Sequence, residues 1–259
     1  MLERFSRLPS ALERLTRWER LGPSRIPALL VHPHRDAGGP APGVIWMHGR
    51  TAFKELDPGR YLRLVRAGFA VCAVDLPGHG ERFEAAMQHP RHTLDVIIQM
   101  IDEIDEVTDA WTAAEPVDAD RLSIGGMSAG GMATLARLCR PHRFRSTSVE
   151  ACTGSWEHQR HREMFEGRDD ASVAAADPIR NLAGWREIPV QAIHTRADAW
   201  VGFDGQAAFV AALRARYEQP DHVDFVIYEE TGAPFEHAGF GRMAADAKNR
   251  QRDFFRRWG

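Results

Sequence analysis

The stretch Ser123-Ile124-Gly125-Gly126-Met127-Ser128-Ala129-Gly130-Gly131 constrains this chain more than any other. It reads as the end of a strand, a tight turn, and the first turn of a helix. Glycines 126 and 130, two positions either side of Ser128, let strand and helix approach while the serine is raised on a strained backbone. A helix starting at Ala129 aims its unpaired amides and positive dipole end at the same side chain. A dinucleotide fingerprint does not fit: G-x-G-x-x-G set at Gly125 would need glycine at Met127, and set at Gly126 would need it at Ser128. The lysine of a phosphate-binding loop is missing as well.

Apolar runs that end in turn residues recur on both sides of this stretch. Segments 26–32, 43–48, 69–75, 120–125, 145–152, 188–194 and 223–228 are expected strands, several of them apolar throughout, as strands buried on both faces are. Pro27 suggests that the first lies near an edge of the sheet. Asp57-Pro58 opens a helix to about Ala67, and Val96, Ile97, Met100, Ile101, Ile104, Val107 and Trp111 mark a longer one from Thr93 to about Ala113. Helices follow over 132–138, 205–216 and 243–258. This alternation predicts an α/β fold, a mostly parallel sheet flanked by helices, with ligands beyond the carboxyl ends of the strands.

Length 259 and 44% hydrophobic content fit a single domain over 1–259. Two segments depart from the alternation. Ser10 with Glu13 matches a capping box, and Leu12, Leu15 and Trp18 follow at helical spacing. The N-terminal segment 1–22 is therefore expected to carry an amphipathic helix over about 10–20, packed on the domain or on a second copy in a homodimer. Residues 154–186, with their charges, histidines, Trp156, Met164, Phe165 and Trp185, are expected as a small helical cap.

A net charge of -3 and a pI near 6.5 give no electrostatic footprint for nucleic acid or an acidic membrane surface. No apolar run is long enough to cross a bilayer and the start has no signal-type leader, so a soluble, cytoplasmic protein is expected. Cys72, Cys139 and Cys152 sit in apolar segments and show no metal-ligand spacing. Neither a metal nor a cofactor is expected.

Ser128, Asp198 and His237 fall in that chain order, each just past a different expected strand. Those are the residues an acyl-transfer triad needs: His237 takes the serine proton and returns it to the leaving group, while Asp198 holds the imidazole and stabilises its charged form. Asp204, Asp221 and Asp224 compete for the acid role, the last two from beside the start of the final strand. His194 and His222 lie inside or at the start of strands, and His79 reads as structural. The oxyanion hole is expected from the backbone amide of Ala129 and one after the 43–48 strand, Arg50 first and Thr51 second. Met127, Trp156, Trp200, Phe203 and Phe235 neighbour these loops and are expected to line a substrate pocket.

Residues 26–259 resemble an α/β-hydrolase, closest to compact bacterial serine esterases related to dienelactone hydrolases and to the catalytic domain of prolyl oligopeptidases. The matching pieces are His48-Gly49, Asp75-Leu76-Pro77-Gly78-His79-Gly80, Val117-Asp118-Ala119-Asp120-Arg121, Gly126-Met127-Ser128-Ala129-Gly130, Asp198 with Val201, and His237. Dienelactone hydrolases use a cysteine where this chain has Ser128, and the familiar His-Gly-x-x-Asp loop reads His194-Thr195-Arg196-Ala197-Asp198. The resemblance implies an α/β-hydrolase fold with a short cap, and a serine carboxylesterase acting on small, short-acyl esters through an acyl-enzyme. Its alternatives are a hydrolase-fold protein that binds a small ligand without turnover, and an acyltransferase or amidase using the same three residues.

Overall fold

A computed structural model describes residues 8–35 and 38–259. In chain order the elements are α1 (Ser10–Glu13), β1 (Thr16–Leu21), β2 (Ile26–Val31), β3 (Ala41–Met47), α2 (Pro58–Arg66), β4 (Ala70–Val74), α3 (Thr93–Ala114), β5 (Val117–Met127), α4 (Ala129–Leu138), β6 (Ser146–Glu150), α5 (Asp170–Ala176), β7 (Val190–Thr195), α6 (Phe203–Arg216), β8 (Val223–Tyr228) and α7 (Ala244–Trp258). Among the described residues eight strands form one sheet, in the order β1-β2-β4-β3-β5-β6-β7-β8. The pairs from β4 to β8 are parallel, and β1 and β2 add an antiparallel edge. Parallel strands need both faces covered, which is why β4, β6 and β7 are buried along their whole length.

Successive side chains of a strand point to opposite faces, and the two cores follow that period. Leu30, Ile45, Met47, Cys72 and Val74 face α3 and α4, where Ile97, Ile101, Trp111 and Leu135 meet them. Leu29, Val31, Val44, Trp46, Val71 and Ala73 face α2 and α7, against Tyr61, Leu64 and Phe255. Each Val, Leu, Ile, Met or Phe side chain removed from water contributes about 1.5–3 kcal/mol before chain entropy is counted.

The N-terminal expectation is corrected. Residues 1–7 of that segment lie outside the described residues, α1 spans only Ser10–Glu13 behind Pro9, and Ser10 makes no side-chain cap. The second half of the expected helix over about 10–20 instead falls in β1, paired with β2 from Thr16↔Val31 to Leu21↔Ile26. A helix of about ten residues has little stability of its own, whereas the ladder to apolar β2 satisfies the same backbone groups. Gly22 and Arg25, both at positive φ, close the hairpin. Pro27 does lie near an edge: β1 is the edge strand, and β2 is the next one in. The proline stands past the last residue paired with β4, where only its carbonyl is used, accepting from the Asp75 amide at 3.1 Å.

The segment 154–186 is a chain of short 3-10 turns around α5, whose N-cap Asp169 accepts from the Ser172 amide. Its apolar side chains, Trp156, Met164, Phe165, Val173, Leu182 and Trp185, are sunk into the core shared with α3 and α4. Among the described residues no helix is long and apolar enough to cross a membrane.

Candidate active site

Ser128 is the N-cap of α4 at φ 51 and ψ -117, a left-handed conformation that a residue with a Cβ adopts only under constraint. The constraint is close packing of backbone on backbone. A Cβ on Gly126 would meet the Gly130 carbonyl carbon at 2.5 Å, and one on Gly130 would meet the Met47 carbonyl oxygen at 2.5 Å. The Ser128 amide donates to the Glu150 carbonyl at 2.9 Å, which ties the turn to β6.

Since β5, β7 and β8 are parallel, the loops after them share one rim of the sheet. There the structure brings Ser128, His237 and Asp198 together. His237 Nε2 lies 3.0 Å from Ser128 Oγ, and His237 Nδ1 lies 2.8 Å from Asp198 Oδ2. The carboxylate acts as acceptor from Nδ1–H, which leaves Nε2 free to accept from the hydroxyl. Asp198 Oδ1 accepts from the amides of Trp200 and Val201, both at 2.8 Å. His194 adds a second imidazole to this corner: Nε2 donates to the Val201 carbonyl at 2.8 Å and stands 3.6 Å from Asp198 Oδ2. Burial lowers the pKa of His194. Asp204, Asp221 and Asp224 are exposed and make none of these contacts.

The first amides of α4, Ala129 foremost, have no carbonyl partner within the helix and open toward Ser128. The loop after β3 runs on the other side. A Cβ on Gly49 would sit 3.2 Å from Ser128 Cβ, so the loop passes directly against the serine at Gly49. Thr51 is at φ 59, and the Arg50 guanidinium is tied to the Gln88 carbonyl.

His48 fixes this loop. Its Nδ1 donates to the Gly49 carbonyl at 2.6 Å and its Nε2 accepts from the Leu76 amide at 3.0 Å. Burial pulls its pKa down to about 4, so the neutral form that this pattern requires is the stable one. His79 packs beside it at 5.8 Å and its Nδ1 faces the Pro77 carbonyl, a structural placement. Asp75 anchors the next loop, accepting from the Lys54 amide and ammonium at 2.9 and 2.8 Å and from the Glu81 amide at 2.9 Å.

The expected pocket residues divide. Met127 is half-buried beside the serine, and Trp200 and Phe235 stack on one another next to His237. Trp156 is corrected: it has 0% exposure and packs on Phe165 within the core, so it offers no surface to a ligand. Phe203 is corrected as well: it stacks on Phe225 at 5.5 Å beneath the Arg196 guanidinium and backs His194 rather than the serine. Both stand near active loops in the sequence, yet Phe165 packs Trp156 into the core and Phe225 stacks on Phe203. Sequence reading missed His48 and His194 as positioning residues; the signal available was a histidine at the end of β3 and of β7, two buried strands that precede active loops.

The relatives agree with this arrangement in fold. Esterase YjfP of Escherichia coli (strain K12) is 30% identical over 124 residues, 48% of this chain and 50% of that protein. The chain spans about half the length of the curated relatives it matches. TT1662 from Thermus thermophilus superposes with a TM-score of 0.68 at 21% identity, covering 93% of this chain and 98% of that one. Acylaminoacyl peptidase from Pyrococcus horikoshii superposes with a TM-score of 0.72 at 17% identity, covering 93% of this chain and 41% of that one. These similarities mark an α/β-hydrolase fold, and since residues 60–258 match the prolyl oligopeptidase family, the chain belongs to that family.

Proposed function

We propose that this protein is a serine carboxylesterase for small, short-acyl esters. The observation that carries the reading is the line from Ser128 Oγ through His237 to Asp198, with contacts of 3.0 and 2.8 Å, set at the N-terminus of α4. Ser128 attacks the ester carbonyl as His237 Nε2 takes its proton. Negative charge on the carbonyl oxygen is met by the Ala129 amide and by an amide of the Gly49–Thr51 loop. His237 then protonates the leaving alcohol, and water, activated by the same imidazole, releases the acid from Ser128.

An ester rather than a peptide bond is favoured by the similarity to a protein named an esterase, which reaches 30% identity. The short acyl chain is favoured by the cap. Its apolar side chains are sunk into the core shared with α3 and α4, which leaves little lining for a long hydrocarbon. Each acyl methylene that fits improves transition-state binding by up to about 0.8 kcal/mol, and the first that does not fit reverses the trend.

The test is kcat/KM along p-nitrophenyl acetate, butyrate, octanoate and dodecanoate for the wild type and Ser128→Ala. A maximum at acetate to butyrate, abolished in Ser128→Ala, is expected. Values still climbing at dodecanoate would overturn the short-acyl assignment, and undiminished hydrolysis by Ser128→Ala would overturn the serine mechanism.

A further inference from the structure

An aromatic shelf stands beside His237. Trp200, two residues after Asp198, stacks on Phe235, two residues before His237, with centroids 4.9 Å apart and planes 24° from parallel. Trp200 also leans on the His237 imidazole at 5.2 Å. In spite of this packing Trp200 is 41% and Phe235 61% exposed. Large apolar rings left in water forgo stabilisation that burial would bring.

The backbone beneath the rings is strained to keep them there. Phe235 at φ 56 and Glu236 at φ 51 are consecutive residues with side chains in the left-handed region. Such residues persist only when their surroundings over-determine them. Glu236 supplies the fastening: its carboxylate accepts from the Thr231 amide and hydroxyl at 2.6 and 2.7 Å and from the Gly232 amide at 2.7 Å. The Ala199 amide donates to the Phe235 carbonyl at 3.0 Å, and Arg162 of the cap hydrogen-bonds the Trp200 carbonyl. Acid loop, histidine loop and cap together hold one exposed pair of rings.

The chemistry of acyl transfer decides which part of a substrate meets that pair. The carbonyl oxygen belongs with the amides of Ala129 and the Gly49–Thr51 loop, while the oxygen of the leaving alcohol must come within reach of His237 Nε2 to be protonated. The shelf borders His237. From this we infer that Trp200 and Phe235 form the leaving-group subsite and select esters whose alcohol part carries a planar aromatic ring. In the reaction the ester C–O bond breaks, His237 gives its proton to the alcohol oxygen, and water supplies the hydroxyl of the acid. This rests on the esterase reading of Ser128, His237 and Asp198.

Benzyl acetate and cyclohexylmethyl acetate test it, because they share an acyl group and a primary alcohol of similar size and differ in planarity. The wild type is expected to favour benzyl acetate in kcat/KM by about threefold to tenfold, the range of one aromatic stacking contact. Trp200→Leu and Phe235→Leu should each shrink the ratio toward unity, and Phe235→Tyr should keep it. Labelling of Ser128 by a serine-directed phosphonate runs alongside. Labelled wild-type enzyme without the preference, or an undiminished preference in both leucine variants, would overturn the subsite while leaving the esterase reading in place. A folded wild type that is not labelled would overturn both.

Discussion

Arg60 of α2 meets Glu150, the last residue of β6, through contacts of 3.1 and 2.8 Å, and the carbonyl of the same Glu150 holds the Ser128 amide at 2.9 Å. Both side chains are buried, Arg60 lies over the Trp46 ring at 3.9 Å, and Asp57 accepts from its Nε at 2.8 Å. Burial pushes the Glu150 carboxyl up, and Arg60 opposes that rise. Removing the partner leaves a buried, uncompensated charge. Arg60→Met is therefore expected to lower the unfolding free energy by about 3–5 kcal/mol in denaturant titration. A loss below about 1 kcal/mol, the value of an exposed pair, would show that the pair does not support the turn.

The glycines of the turn make a second prediction. In Gly130→Ala the new methyl would lie 2.5 and 2.6 Å from the carbonyl oxygens of Met47 and His48, so α4 must retreat from β3. Overpacking of this kind costs about 1–3 kcal/mol, and a displacement of the serine by about 1 Å lowers kcat on the order of 10²-fold. Gly59→Ala is the control. Its methyl meets nothing closer than Arg63 Nη1 at 3.5 Å, and stability should hold or rise.

Asp198→Asn should retain the shape but present the wrong tautomer of His237, costing on the order of 10⁴ in kcat. Asp204→Asn, on the exposed start of α6, should stay near the wild-type rate. Kinetics on p-nitrophenyl butyrate separate them, and a large loss at Asp204 with none at Asp198 would reassign the acid.

Stability should fall as pH drops from about 6.5 to about 4. His48 has its folded pKa lowered to about 4 from an ordinary value of 6.5, with burial as the cause. Between those values the unfolded chain binds the proton and the folded chain does not, so stability is full above the unfolded pKa and is lost on acidification. The shift corresponds to about 3 kcal/mol in all. Burial likewise lowers His79 and His194, which act in the same direction. Urea titrations at pH 7.5, 6 and 5 check this, with a flatter profile expected for His48→Gln. Rising stability on acidification would contradict it.

Much of this molecule was legible in the chain. Val223–Tyr228 was read to the residue, and the long helix over Thr93–Ala114 was read to within one, the helix because its burial follows the helical period. Ser128, Asp198 and His237 could be named because each follows a different parallel strand, and parallel strands must bring their carboxyl ends to one rim. The failures share one physical origin, partners outside the local period of the segment. Leu12, Leu15 and Trp18 have helical spacing, yet Thr16–Leu21 becomes a strand because β2 offers a ladder. Trp156 and Phe203 look like pocket residues from their loops, yet Phe165 and Phe225 bury or stack them elsewhere. The pair Arg60–Glu150 spans 90 positions and leaves no local pattern to read.

The most direct measurement is covalent labelling with a serine-directed phosphonate, followed by peptide mass spectrometry. A single adduct at Ser128 is predicted for the wild type, none for Ser128→Ala, and labelling slowed by about 10²–10⁴-fold for His237→Ala, the range of general-base catalysis. A folded wild type that stays unlabelled, or one labelled at another residue, would contradict the assignment of Ser128 as the nucleophile.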